Sequence, residues 1–159
     1  MATENQYKFY RALYDEENGR YGLLEARAKL YLIILTFYLG ALAFKLSDVK
    51  VFFTEFGIPL SLALSAGLAF LCALLCCIYS ILIREYEAIT DPEELIASLG
   101  KQPPTDDDFF DDRIVDMAVA TNRNSGQNDR AANALQVAGW LMAVGVVLHV
   151  IVFVIALLK

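Results

Sequence analysis

Three stretches of this chain carry no charged side chain, and they constrain its fold more than anything else in the sequence. Residues 30–44 form an uncharged run of 15, residues 56–83 a run of 28, and residues 131–158 another of 28. A helix needs about 20 mainly apolar residues to cross the hydrocarbon of a bilayer. The second and third runs meet that length unaided. The first meets it if Lys29 and Lys45 reach outward to the headgroups. The chain is 57% hydrophobic and 20% charged, against ~45–50% and ~25% for a soluble domain. These observations exclude an ordinary water-soluble enzyme. They predict an all-α polytopic membrane protein with three transmembrane helices, at about 29–46, 58–83 and 135–158. The whole of 1–159 is expected to form a single helical membrane domain with a cytoplasmic loop at 84–134, the first and third helices extending into the cytoplasm.

Charge placement orients the spans. Ten of the 13 Lys and Arg residues lie in 1–29 and 84–134, and only Lys45, Lys50 and Lys159 lie elsewhere. The positive-inside rule therefore places the N-terminus and the long loop in the cytoplasm and the C-terminus outside, in an inner (plasma) membrane. The net charge of -6 argues against nucleic acid as a partner, because that binding rests on clustered cations. Cys72, Cys76 and Cys77 all fall within the second run, where an odd number of thiols is no disulfide framework. The polar, mixed-charge N-terminus is unlike a signal peptide, so the first span is expected to act as an uncleaved anchor.

Apolar and aromatic residues recur at Phe9, Tyr10, Leu13, Tyr14, Tyr21, Leu24 and Ala28, near the spacing of one helix face. The pattern predicts one helix from Tyr7 to Phe44, with Gly19 and Gly22 as weak points and a split at Asn18-Gly19 as the alternative. The connector 46–59, with Phe52, Phe53 and Phe56, suits the bilayer surface. Pro59 fits a first helical turn, so the second span should start near Ile58, and it should run past Arg84 through Ile89. Asp91-Pro92-Glu93-Glu94 predicts the start of a short helix that Gly100 ends. Thr105 with Asp106, Asp107 and Asp108 should start the last helix, with Phe110, Ile114, Met117, Ala118 and Thr121 facing a core. The polar stretch Asn122–Asn128 favours a break before helix resumes at Ala131–Leu135.

Several residues are candidates for function. His149, the single histidine, lies in the outer half of the third span, where an ionisable side chain is a functional hypothesis by default. It would line a pore or sense pH, or else bond a neighbouring helix as a neutral imidazole. Asp108, Asp112 and Asp116 recur every four residues and would share a helix face. That face reads as a solvated surface or a docking site for a basic partner. It does not read as a calcium site, which takes 6–8 oxygens and a turning loop. Ser61, Ser65, Ala69 and Ala73 on the second span, with Gly139 and Ala143 on the third, follow the small-xxx-small spacing that lets helices approach closely. They are expected to pack copies into a homo-oligomer. Asn124, Asn128 and Asn133 lie near the cytoplasmic ends of the spans with Arg123 and Arg130, and would fix helix register or form a polar collar. Glu25, Arg27, Asn128 and Arg130 are expected to contact one another between helices, within or between subunits, setting the tilt of the spans and serving as a gate if the assembly is a pore. No metal or cofactor site and no catalytic constellation is legible, so the chain is expected not to be an enzyme.

The segments ENGRYGLLEARAKLYL (Glu17–Leu32) and AVATNRNSGQNDRAANALQVAG (Ala118–Gly139) each lead into an apolar run. In this they resemble small transmembrane effectors of bacterial anti-phage defence, including SLATT-like and Pycsar-type membrane proteins. The resemblance covers about a quarter of the chain. It implies an oligomer that perturbs or permeabilises the inner membrane when a linked sensor fires, and it carries over no functional residue. The chain departs from those proteins in having no separate sensor domain. A trigger would come from a cytoplasmic sensor protein or a small molecule. The alternative function is a non-catalytic adaptor or regulatory subunit of a larger membrane complex.

Overall fold

A computed structural model of the chain describes residues 3–44, 51, 54–55, 60–83, 87–89 and 105–158. Among the described residues the protein is all-helical, with three long helices: α1 (Glu4–Phe44), α2 (Leu60–Leu82) and α3 (Asp106–Leu157). The expected short helix after Asp91 and most of the 46–59 connector lie outside the described residues. Two of the helices, α2 and α3, contain stretches long and apolar enough to cross a membrane.

Local chemistry explains the helix starts. At α1 the Thr3 hydroxyl accepts the Gln6 amide N–H at 3.3 Å, and Gln6 Oε1 accepts the Thr3 N–H at 2.9 Å. This reciprocal pair satisfies donors that an open helix end leaves free. Lys8 lies 2.6 Å from Glu4 one turn on and, by hydrogen bond and charge, holds that carboxyl below its ordinary value. α3 begins at Asp106, as the Thr105-Asp-Asp-Asp run predicts.

α1 is continuous through Gly19 and Gly22. A Cβ added at either glycine would meet nothing within 4 Å, so each is only a weak helix former, at about 1 kcal/mol against alanine. Two expectations fail. α3 does not break at Asn122–Asn128 but runs for 52 residues. Asn destabilises helices mainly by bonding its own backbone, and the side chains of Asn124 and Asn128 bond other segments instead. Nor does α2 continue through Ile89: it ends at Leu82, and residues 87–89 are not helical. The main chain at Glu87 is bonded to Asn124 rather than to a helical turn.

Burial along the long helices follows a seven-residue period. On α3, Met117, Asn124, Ala131, Ala138, Gly145 and Val152 are all buried. On α1, half-buried Tyr7, Tyr10, Tyr14, Glu17, Tyr21, Leu24, Tyr31 and Tyr38 alternate at three and four residues with fully buried Ala28 and Leu35. This is the spacing by which a helix keeps one seam against a neighbour. Six of the eight tyrosines lie on the α1 seam; in the second unit the α3 seam carries the small residues Ala131, Ala138 and Gly145.

The chain divides into two compact units, one of Met1–Leu23 with Arg84–Arg130, the other of Leu24–Ile83 with Ala131–Lys159. In the first, α1 and α3 run parallel: Tyr7 packs at a tilt against Phe110 with ring centroids 5.4 Å apart, and further along Glu17 and Arg20 meet Asn128 and Asp129. In the second, a core of Ala28, Leu35, Phe70, Ala73, Cys77, Leu135 and Ala138 joins all three helices. Small side chains dominate it, which lets the helices approach one another closely. Buried Ser80 is satisfied by donating to the Cys77 carbonyl at 2.8 Å.

Candidate functional site

In the first unit the polar chemistry centres on two buried amides of α3. Asn124 Nδ2 donates to the Glu87 carbonyl at 3.1 Å, and Asn124 Oδ1 accepts the Glu87 N–H at 3.0 Å. One side-chain amide thus matches both main-chain groups of one residue, and the Glu87 carboxylate pairs with Arg123 on the same helix. One turn on, Asn128 Nδ2 donates to the Glu17 carbonyl at 3.1 Å and to its carboxylate at 2.8 Å. Arg20 lies 3.6 Å from Glu17 and 2.5 Å from Asp129, and that acid keeps the guanidinium protonated even above its ordinary range. A buried amide bonded to main-chain and carboxylate groups is costly to displace. This layer therefore fixes the register of α1 on α3 and clamps the 87–89 segment to α3. It is suited to positioning chain segments rather than to moving protons or groups.

In the second unit the polar centre is His149. Its Nδ1 lies 2.9 Å from the Gly145 carbonyl, and its Nε2 bonds the Tyr38 hydroxyl. A carbonyl only accepts, so Nδ1 carries a proton; in the neutral ring Nε2 is then the acceptor and Tyr38 donates. Phe70 packs against both rings, 4.3 Å from Tyr38 and 5.8 Å from His149 between centroids. The cluster closes over Gly145, where an added Cβ would come within 2.6 Å of the Phe70 ring.

The other residues singled out in the sequence fall as follows. Arg27 donates to the Tyr31 hydroxyl from Nε at 3.1 Å and from its terminal nitrogen at 3.0 Å, and Glu25 lies 2.6 Å from Lys29. Arg130 is exposed. Within the protomer the Arg27 donors are directed to Tyr31 and those of Asn128 to Glu17. The row of small residues on α2 needs correction. Ala69 and Ala73 are buried inside the protomer, at 9% and 0% exposure, because they form the face of α2 that packs on the other helices. Gly139 is likewise used internally, its Cβ position 3.2 Å from the Tyr31 hydroxyl. Ser61, Ser65 and Ala143 are exposed, and Ser65 donates to its own helix at the Leu62 carbonyl. Asp112 and Asp116 are exposed, while the side chain of Asp108 lies outside the described set.

Sequence reasoning missed Tyr38, Phe70, Gly145, Glu17 and Glu87. The spacing of the tyrosines was the signal available for the seam, whereas the Asn124–Glu87 clamp has no local signal at all. Comparison of the chain with known protein families, curated proteins and solved structures gives no match.

Proposed function

We propose that this protein is a membrane-embedded, self-associating helical effector that perturbs or permeabilises the inner membrane, in the manner of the anti-phage effectors its sequence resembles. The observation that carries the reading is where the apolar side chains point. Leu30, Ile33 and Phe37 on α1, Leu64, Leu68 and Leu75 on α2, and Trp140, Val144 and Val147 on α3 are all at least half exposed. A soluble core helix would bury such residues, and a monomer rarely leaves so continuous an apolar surface in water. Lipid is the solvent that accepts it. On this reading α1, α2 and α3 each cross the bilayer, with the N-terminus in the cytoplasm.

The two longest helices supply a route for a signal. α1 and α3 run unbroken from charged into apolar sequence, so a tilt or shift imposed on the charged end by a sensor protein or a small molecule moves the apolar end as well. The proposal is tested by expressing the chain alone in a bacterium and following growth and membrane potential with a potential-sensitive dye. Growth arrest with depolarisation is expected. Normal growth and potential, with the protein inserted and abundant, would overturn the effector reading. If a partner then co-purifies and Asp112→Asn with Asp116→Asn releases it, the adaptor role replaces that reading.

A further inference from the structure

The polar layer of the first unit has two anchors, and they hold different things. Asn128 of α3 bonds the main chain and carboxylate of Glu17 on α1. Asn124, one turn earlier, commits both ends of its amide to the main chain of Glu87, at 3.1 and 3.0 Å. Each anchor has its own side chain, so the Glu87 contact can break while α1 stays on α3. The attachment of the 87–89 segment is also of a kind that opens readily. Its described bonds are polar: the Asn124 pair, and the ion pair of Glu87 with Arg123, whose side chains are 42% and 63% exposed. Ala88 is exposed and Ile89 only half-buried. Hydrogen bonds and exposed ion pairs are exchanged for bonds to water at little net cost, and segments with few buried apolar contacts open first.

We propose that the 87–89 segment is a latch: it opens and closes on Asn124 as a local unit while α1 and α3 remain paired, and its closed form restrains the effector. Asn124 suits this role because it reads main chain. An amide both donates and accepts, so it matches the N–H and C=O of a non-helical residue whatever the side chain, and the same bonds re-form each time the segment returns. The segment is also placed to matter. Glu87 follows Leu82, the last residue of α2, by only five positions (82 to 87). A closed latch limits the freedom of the chain leaving α2, and an open one removes that limit. Release is a local step that a sensor protein or a small molecule engaging the segment would favour. A minor open population accounts for the activity expected of the chain expressed alone. The restraint rests on the effector reading proposed above; the local opening does not.

The test is hydrogen–deuterium exchange of the full-length protein in detergent micelles, read at the Glu87 amide, whose N–H is bonded to Asn124. In the wild type this amide should be protected, and its exchange should be insensitive to low concentrations of urea. The α1 and α3 amides that open only when the helices part should respond to urea. Asn124→Ala should speed Glu87 exchange by roughly 5- to 150-fold, the loss expected for two net hydrogen bonds. Glu87→Ala and Arg123→Ala remove only the ion pair and should speed it by about fivefold at most. Asn128→Ala should leave it unchanged. In the bacterial assay, Asn124→Ala should depolarise the membrane at several-fold lower expression than the wild type. Glu87 exchange that tracks the parting of α1 from α3, or that Asn124→Ala leaves at the wild-type rate, would overturn the latch. So would an unprotected Glu87 in Asn124→Ala with no gain in depolarisation over an active wild type. If neither protein depolarises the membrane although both are inserted and abundant, the effector reading falls and the restraint with it, while the local opening stands or falls on the exchange data.

Discussion

Among the described glycines, Gly145 has the least freedom to change. Its Cβ position lies 2.6–3.0 Å from three carbons of the Phe70 ring, and that ring cannot retreat, being buried at 4% exposure and stacked on Tyr38 and His149. Gly145→Ala should therefore destabilise the folded protein by about 1–3 kcal/mol, the usual cost of overpacking. Denaturant titration of the detergent-solubilised protein measures this. Phe70→Leu in the same chain should recover part of the loss by vacating the space, and a double variant no more stable than Gly145→Ala would count against the close approach. At this scale the sequence announced chemistry without geometry. His149 and Asn128 stand out because they are polar residues in or beside apolar runs. Their partners Tyr38 and Glu17 lie 111 positions away along the chain, and nothing local to either residue encodes that distance.

Helices were more legible than contacts, because a helix is written in near neighbours. The start of α3 at Asp106 and the continuity of α1 follow from capping residues and periodicity. The failures lay where a distant segment overrode local preference. Asn122–Asn128 reads as a helix breaker, yet the amides that would attack their own backbone are engaged with Glu17 and Glu87. Gly126 sits within that stretch as a helical glycine with nothing within 4 Å of its Cβ position. Gly126→Ala should thus stabilise the protein by about 0.5–1 kcal/mol, through better helix propensity and a less flexible unfolded chain. A raised midpoint in thermal unfolding followed by circular dichroism is the expected result. An unchanged or lowered midpoint would mean that the glycine is needed for a contact the folded protomer does not make by itself.

For the whole molecule, the all-helical fold with two long apolar helices was readable at once, since the length of an apolar run is a matter of composition more than sequence detail. Topology is the matching experiment. Ten of 13 basic residues lie in 1–29 and 84–134, so a reporter fused after Lys159 should read extracytoplasmic and one inserted beside Gln102 cytoplasmic. The opposite reading at either site would remove the three-span arrangement. On the membrane-embedded reading proposed above, the seam of tyrosines has a further consequence for how copies sort themselves in a crowded bilayer. In the second unit the broad rings of Tyr31 and Tyr38 face Gly139, His149 and their small neighbours. Two tyrosine-lined faces brought together would collide, and two glycine- and alanine-lined faces would leave a gap. The seam therefore accepts only its opposite and rejects its own kind. On that reading α1 meets its mate α3 at highest local concentration within its own chain.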